Sequence, residues 1–505
     1  MLATVQAATL RGVEAAPVTV EVHVSSGLPG FTIVGLPDTA CREARDRARA
    51  AVLSSGLAWP SRRITVNLAP SGLRKSGAGL DLALALGVLV ADEQLPASIA
   101  VDRAFLGELG LDGTIRSVVG MVPLTACIGA PEVVVALDAV HQAALVRRHR
   151  VRGAPRLAVL IDALLDRAPW PEPPRLRPSP ATCSHGDLAD VRGQPLARVA
   201  VEVAAAGGHH ILLIGPPGAG KTMLAERLAG LLPDLDDDQA LEVTLVHSAA
   251  GLPLPGDRLI HRPPLRSPHH SASGVALIGG GSSHVRPGEV ALAHRGVLFM
   301  DELGEFPPAV LDLLRQPLES GVIVVNRASG TYRFPARFLL VAAMNPCPCG
   351  EAFRPGACRC SEAARLRYGR RLSGPLLDRF DLRLIVSRPP AEVLLGAQPE
   401  ESTDTVSDRV SAARRRALGR GVQTNAEVDA RVLARVAPLD EAARHLLEQR
   451  LRAGALTARG VQRVRAVALT LSDLAGRDGP LTSDLVATAL SLRADPLALA
   501  RAGGG

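Results

Sequence analysis

Apolar and polar residues alternate in VTVEVHV (18–24) and RITVNLA (63–69), a period of two that predicts strands buried on one face. VVVAL (133–137) reads as a further strand, and TACREARDRARAAVLSSG (39–56) as a helix. Residues 1–165 therefore predict an α+β domain without internal repeats. PWPEPPRLRPSP (169–180) carries six prolines, which neither helices nor central strands accept, so 166–186 is assigned as a stiff linker. From 187 to 395 short apolar strands alternate with helices, the signature of a parallel sheet. From 396 to 505 the pattern turns helical, as in RVLARVAPLDEAARHLLEQRL and VQRVRAVALTLSDLAG, before a Gly-rich end. The expected class is a multi-domain α/β protein.

Composition narrows this picture. The 505 residues are 47% hydrophobic and 21% charged, ordinary for a globular chain, but only 2% aromatic, so cores must be built from Ala, Leu and Val. The net charge of +7 suits a polyanion partner, although it is spread thinly. The N-terminus has no basic start and apolar core of the secretory kind. The apolar run LDLALALGVLVA is shorter than a membrane span and holds Asp81. Four of the seven cysteines fall between 347 and 360, unlike a secreted disulfide framework. These features predict a cytoplasmic protein that does not enter membranes.

Of 57 lysines and arginines, only Lys75 and Lys221 are lysine. The arginine excess reads first as codon bias. Lys221 lies in GPPGAGKT, where a slim ammonium follows a phosphate better than a planar guanidinium does. HHILLIGPPGAGKTMLAERLAGLL has the strand–turn–helix order of a P-loop, with ATP the expected ligand. Gly215, Pro216, Pro217, Gly218, Ala219 and Gly220 form the turn whose N–H groups face phosphates, Lys221 reaches the β and γ phosphates, and Thr222 ligates Mg²⁺. In GVLFMDELGEF a buried strand ends in Asp301, suited to the Mg²⁺ shell, and Glu302, suited to polarise the attacking water. FLLVAAMNP ends another strand at Asn345, which is placed to orient that water.

Arg379, in LSGPLLDRFDL, reads either as a surface ion pair or as an arginine finger entering a neighbouring subunit's nucleotide. Arg459, in LTARGVQRVRAVA, would open a C-terminal helix and report nucleotide state, with Arg463 competing for that role. Cys347, Cys349, Cys358 and Cys360 make two Cys-x-Cys pairs, either a structural Zn²⁺ site or four reduced thiols. Cys41, Cys127 and Cys183 read as packing residues.

RSPHHSAS, PGEVALAHRGVLFMDELGEF, AAMNPCPCG and LSGPLLDRFDL together resemble the YifB/ComM group of magnesium-chelatase-like AAA+ ATPases, and the N-terminal segments resemble it too. The resemblance implies a P-loop AAA+ core, a C-terminal helical lid and a homo-oligomeric, hexameric ring. For the ComM type it implies a DNA helicase driving branch migration on single-stranded or branched DNA. The hairpin GVIVVNRASGTYRFPARF falls where related ring motors grip DNA, which makes Arg327 and Arg333 candidate phosphate contacts. An ordinary solvated hairpin is the alternative. SGVALIGGGSSHVRPGEV, with Arg286, is the candidate companion loop. Adjacent His269 and His270, beside Arg266, would point apart on a strand, which favours a structural or inter-subunit role.

The N-terminal domain resembles the Lon-protease-like fold shared with the ribosomal S5 second domain. GLRKSGAGLD lies where the serine loop would be, but the nucleophile position matches Gly79 and the lysine position Val122. Ser76 lacks a base at an expected place, so a peptidase is disfavoured. Lys75 either faces DNA or caps a loop. The competing functions are a magnesium-chelatase-type ATPase subunit and a non-motor DNA-binding ATPase regulator.

Overall fold

The alternating segments pair as their periodicity requires. In the computed structural model, which describes residues 1–75, 77, 79–175, 186–256, 258–281, 285–328, 330–353, 356–396 and 400–494, they build a seven-stranded mixed sheet. Across this sheet the strands run Gly30–Val34, Arg63–Ala69, Glu14–Ser25, Leu2–Arg11, Arg103–Phe105, Glu132–Ala136 and Arg150–Ala154. Val18, Val20, Val22 and Val24 are buried on one face, as the period of two predicts. The helix Asp81–Ala91 is buried along its whole length beneath the sheet. Its Gly87 permits that approach, because a Cβ there would come within 2.7 Å of Val22 Cγ2. Burial pushes the Asp81 carboxyl up to about 6, while Arg47 (2.6 and 3.0 Å) and the Leu109 amide satisfy its oxygens.

Lys75 does not face a partner molecule. It is fully buried, its Nζ donates to the Pro70 carbonyl, and burial lowers its pKa. The expectation that it faces DNA is therefore corrected, and the loop-capping alternative fits. Ser76 and Cys183 lie outside the described residues. Cys41 is buried, its thiol donating to the Gly77 carbonyl at 3.3 Å.

The first part of the proline-rich segment lies along the N-terminal domain. The Arg152 guanidinium sits 5.4 Å from the Trp170 ring centroid, and His141 Nε2 donates to Pro174 O at 2.8 Å. Residues 176–185 lie outside the described residues.

A second sheet is parallel throughout, in the order Leu265–Arg266, Val297–Met300, Leu339–Met344, Ile211–Ile214, Leu382–Ile385. Its three central strands are buried at every residue, which explains why their apolar runs do not alternate. Helices Thr403–Gly419, Glu441–Arg452, Ala458–Leu474 and Ser483–Ser491 follow. The segment RVLARVAPLDEAARHLLEQRL is broken in two at Pro438, with Asp440 capping the second helix by accepting from the Ala443 amide at 2.6 Å. Val410, Leu447, Val464 and Val486 of these helices share one core with Ala200 and Leu228 beside the parallel sheet.

The two sheets are joined by an apolar seam. Val122 packs with Leu145, Val146, Val243 and Leu259, and its amide donates to Ser248 Oγ at 3.2 Å. The position matching a peptidase lysine is thus filled by a packing residue.

Candidate nucleotide site

Parallel pairing brings three strand ends to one edge of the sheet. Ile214 is opposite Met344 and Met300 opposite Ala342, so the turn after Ile214, Asn345 and Asp301 emerge side by side. In that turn Gly218 (φ +75°) and Gly220 (φ +82°) adopt left-handed backbone that a side chain would strain. At Gly215 a Cβ would collide with the carbonyl of Val386, just past the neighbouring strand Leu382–Ile385. The helix Lys221–Leu231 starts directly from Gly220, so its N-terminal dipole points into the turn.

The side chains converge. Lys221 Nζ donates to Gly215 O (2.7 Å), Pro216 O (2.9 Å) and Asn345 Oδ1 (3.2 Å). Burial draws the Lys221 ammonium below its ordinary range, opposed by the charge of Asp301. Thr222 Oγ1 donates to Asp301 Oδ2 at 2.9 Å. Hydroxyl and carboxylate are the hard oxygen donors Mg²⁺ takes, so the residues fit that ion. Glu302 is exposed, with φ at +50°, and its amide donates to Asp301 Oδ1 at 2.8 Å.

Sequence reasoning missed what holds Glu302. His270 Nδ1 lies 3.0 Å from Glu302 Oε2, and its ring meets Phe306 edge-on at 6.5 Å. The two adjacent histidines do not point apart. They lie in a turn beyond the strand Leu265–Arg266, with ring centroids 4.1 Å apart, and alternation holds only within strands. Arg266 instead forms a bidentate pair with Glu289, at 2.7 and 2.8 Å.

Arg379 pairs with Glu319 of its own chain. Burial, then the like charges of Arg459, Arg463 and Arg315, lowers its pKa, while Arg463 and Arg315 keep carboxylate partners of their own in Asp381 and Asp312. Arg459 is exposed in the first turn of the helix Ala458–Leu474, capped by Thr457. Arg463 is committed elsewhere: it pairs with buried Asp381, whose other oxygen lies 3.2 Å from His209 Nδ1. His209 Nε2 contacts Thr470 Oγ1 at 2.8 Å, closing a polar link between sheet and helices.

Arg327 and Arg333 are exposed on the hairpin Val322–Arg327/Gly330–Pro335. Arg286 is exposed on a short two-stranded turn whose Gly280 lies beside Arg327: a Cβ there would be 3.2 Å from its guanidinium. The hairpin also touches the N-terminal domain, where Arg11 donates to Thr331 O at 3.2 Å and lies 5.8 Å from the Tyr332 ring centroid.

Beyond Asn345 the four cysteines come together, with all Sγ atoms within 4.8 Å of one another. Sγ separations are 3.4 Å (Cys347–Cys349), 3.8 Å (Cys347–Cys358) and 3.7 Å (Cys349–Cys358). Tetrahedral Zn²⁺ with bonds of about 2.3 Å requires sulfurs about 3.8 Å apart, so the quartet fits that ion. Backbone N–H groups of Glu351 and Arg359 lower the Cys349 pKa, whereas burial raises that of Cys347.

Three family models match in succession: subunit ChlI of Mg-chelatase over residues 20–136, magnesium chelatase subunit ChlI over 187–394, and its C-terminal part over 400–493. An uncharacterized protein of Mycobacterium tuberculosis is 48% identical over 493 residues, covering 96% of this chain and 97% of that one. YifB of Escherichia coli is 43% identical, covering 96% and 95%, and the competence protein ComM of Haemophilus influenzae is 42% identical, covering 94% of each. Likeness of this extent runs through both sheets and the helices after them. The chain belongs to the YifB/ComM group of magnesium-chelatase-like AAA+ ATPases, and that membership implies use of ATP and Mg²⁺.

Proposed function

We propose that this protein is an ATP-dependent ring motor acting on DNA, a branch-migration helicase of the ComM type. The observation that carries the reading is the meeting of Lys221 with Asn345 and of Thr222 with Asp301 at one sheet edge, with Glu302 beside them. Turn N–H groups and Lys221 hold the phosphates, Thr222 and Asp301 hold Mg²⁺, Asn345 orients a water, and Glu302 accepts its proton. Held by Thr222 and Asp301, Mg²⁺ would supply positive charge against the nucleotide phosphates.

Arg379 acts in trans in a hexameric ring, exchanging Glu319 for a neighbour's phosphate, and Arg459 reports nucleotide state from the helical lid. The charge of exposed Arg459 acting on Arg379 supports this, since an incoming anion would meet both cations. The exposed Arg327, Arg333 and Arg286 offer phosphate contacts to single-stranded or branched DNA. The N-terminal domain is read as Lon-like without peptidase activity, a ring-stabilising or DNA-binding module in a cytoplasmic protein. The cysteine quartet is read as a structural Zn²⁺ site.

ATPase rate with and without a synthetic four-way junction, alongside junction migration, tests the reading. The expected result is DNA-stimulated turnover with migration, and Glu302→Gln should retain ATP binding while abolishing both. Turnover indifferent to DNA, or a Glu302→Gln enzyme at the wild-type rate, refutes it.

A further inference from the structure

The loop that gathers the four cysteines is also the loop that touches the candidate phosphate turn. Gly350 (φ +81°) lies so close to it that a Cβ would come within 2.5 Å of Pro217 Cδ. The next residue, Glu351, accepts from Arg388 at 2.9 Å, and Arg388 Nε donates to Pro217 O at 3.1 Å. Arg388 is near enough to Lys221 for its charge to disfavour the ammonium. A cavity of about 420 Å³ opens between the turn and the cysteine loop, lined by Pro216, Gly350, Glu351, Phe353, Ser387 and Arg388.

A guanidinium has five in-plane donors in a rigid fork and no acceptor, so one held through Nε and one Nη2 hydrogen can still offer its remaining N–H donors to an anion. Glu351 and the Pro217 carbonyl hold Arg388 in this way beside the turn whose N–H groups face phosphate. Glu351 is itself only two residues from Cys349, while Cys347 is buried three residues beyond the strand Leu339–Met344. Ligation of all four thiolates would fix the backbone between these points, removing conformational freedom that Glu351 otherwise keeps.

We propose that Arg388 is a nucleotide-contacting residue and that the cysteine loop, closed by Zn²⁺, is the clamp that positions it, so that metal occupancy sets nucleotide affinity. The proposal rests on the reading of 215–222 as an ATP site. Neither LSGPLLDRFDL nor the P-loop signature points to Arg388, which lies past the last strand of the sheet.

The test is calorimetric titration of ADP into the full chain, with metal content measured by mass spectrometry. About one Zn²⁺ per chain is expected. Arg388→Ala should keep that metal and weaken ADP roughly tenfold, the size of one lost charge-assisted hydrogen bond. Glu351→Gln should weaken it less. Removing Zn²⁺ with a chelator, then restoring Mg²⁺, should weaken ADP for the wild type but add little to Arg388→Ala, because both act through one contact. The melting temperature of each sample verifies that it is folded.

Protein purified without zinc that binds ADP as tightly as zinc-loaded protein overturns the clamp, as does wild-type affinity in Arg388→Ala. Loss of ADP binding in Lys221→Ala, with Arg388→Ala unaffected, sinks the clamp and spares the ATP site. Failure of the wild type to bind ADP sinks both.

Discussion

Asp381→Asn is expected to loosen the C-terminal helices from the parallel sheet. Asp381 is 4% exposed and faces two partners, the Arg463 guanidinium and His209 Nδ1 at 3.2 Å. Those partners, against the opposing effect of burial, hold its carboxyl well below the usual range, so the group is ionised in the folded protein. The amide keeps the shape of the side chain and removes the charge, leaving Arg463 without its anion in a largely dry site. Breaking a buried pair from one side costs about 3–5 kcal/mol. At about 2–4 °C per kcal/mol this lowers the melting temperature by roughly 6–20 °C. Thermal unfolding at pH 7, followed by dye fluorescence and circular dichroism, reads the loss. Because Asp381 stands two residues after Arg379, and Arg463 also approaches the Arg379 carbonyl at 3.4 Å, turnover should fall further than ADP affinity. Arg463→Met combined with Asp381→Asn should cost less than the two single changes added together. A melting temperature within about 1 °C of wild type would refute the claim that this pair ties the helices to the sheet.

The remaining expectations concern histidines. His270→Ala releases the Glu302 carboxylate to other rotamers, so steady-state kinetics should show kcat reduced by about five- to tenfold with KM for ATP unchanged; a changed KM with normal kcat would point to a binding role instead. His294 is 2% exposed, accepting at Nδ1 from the Arg337 amide (3.1 Å) and donating from Nε2 to Glu242 (3.1 Å). Burial lowers its pKa to about 4, against the pull of Glu242. A depressed folded pKa means the stability is intact above about pH 6.5 and drains away as pH falls toward 4, by about 3 kcal/mol in all. Melting temperatures from pH 7 to 4.5 should therefore fall more steeply in wild type than in His294→Gln, and parallel curves would remove His294 as a cause.

Much of the candidate nucleotide site was legible because its chemistry is local. GPPGAGKT carries its own turn geometry, and the apolar runs before Asp301 and Asn345 announce buried parallel strands. Thr222–Asp301 and Lys221–Asn345 follow once those strands pair in register. The His270 contact with Glu302 was not legible, since it depends on a turn crossing from another strand. Arg463 and Arg459 were indistinguishable as sequence. Only burial of Asp381 committed Arg463 to the fold and left Arg459 exposed.

Local sequence was enough for the alternating strands around 18–24 and 63–69, the glycine turn GPPGAGKT and the family, because periodicity, glycine positions and motif spacing are properties of short stretches of chain. Strands such as Leu2–Arg11 and Arg150–Ala154 were not foreseen. Tertiary structure alone decided that Lys75 is buried on the Pro70 carbonyl, that four cysteines close to tetrahedral spacing, and that their loop rests on Pro217. Each of these joins segments whose approach is set by packing of whole sheets and helices, and packing is a property of the folded chain rather than of any window along it.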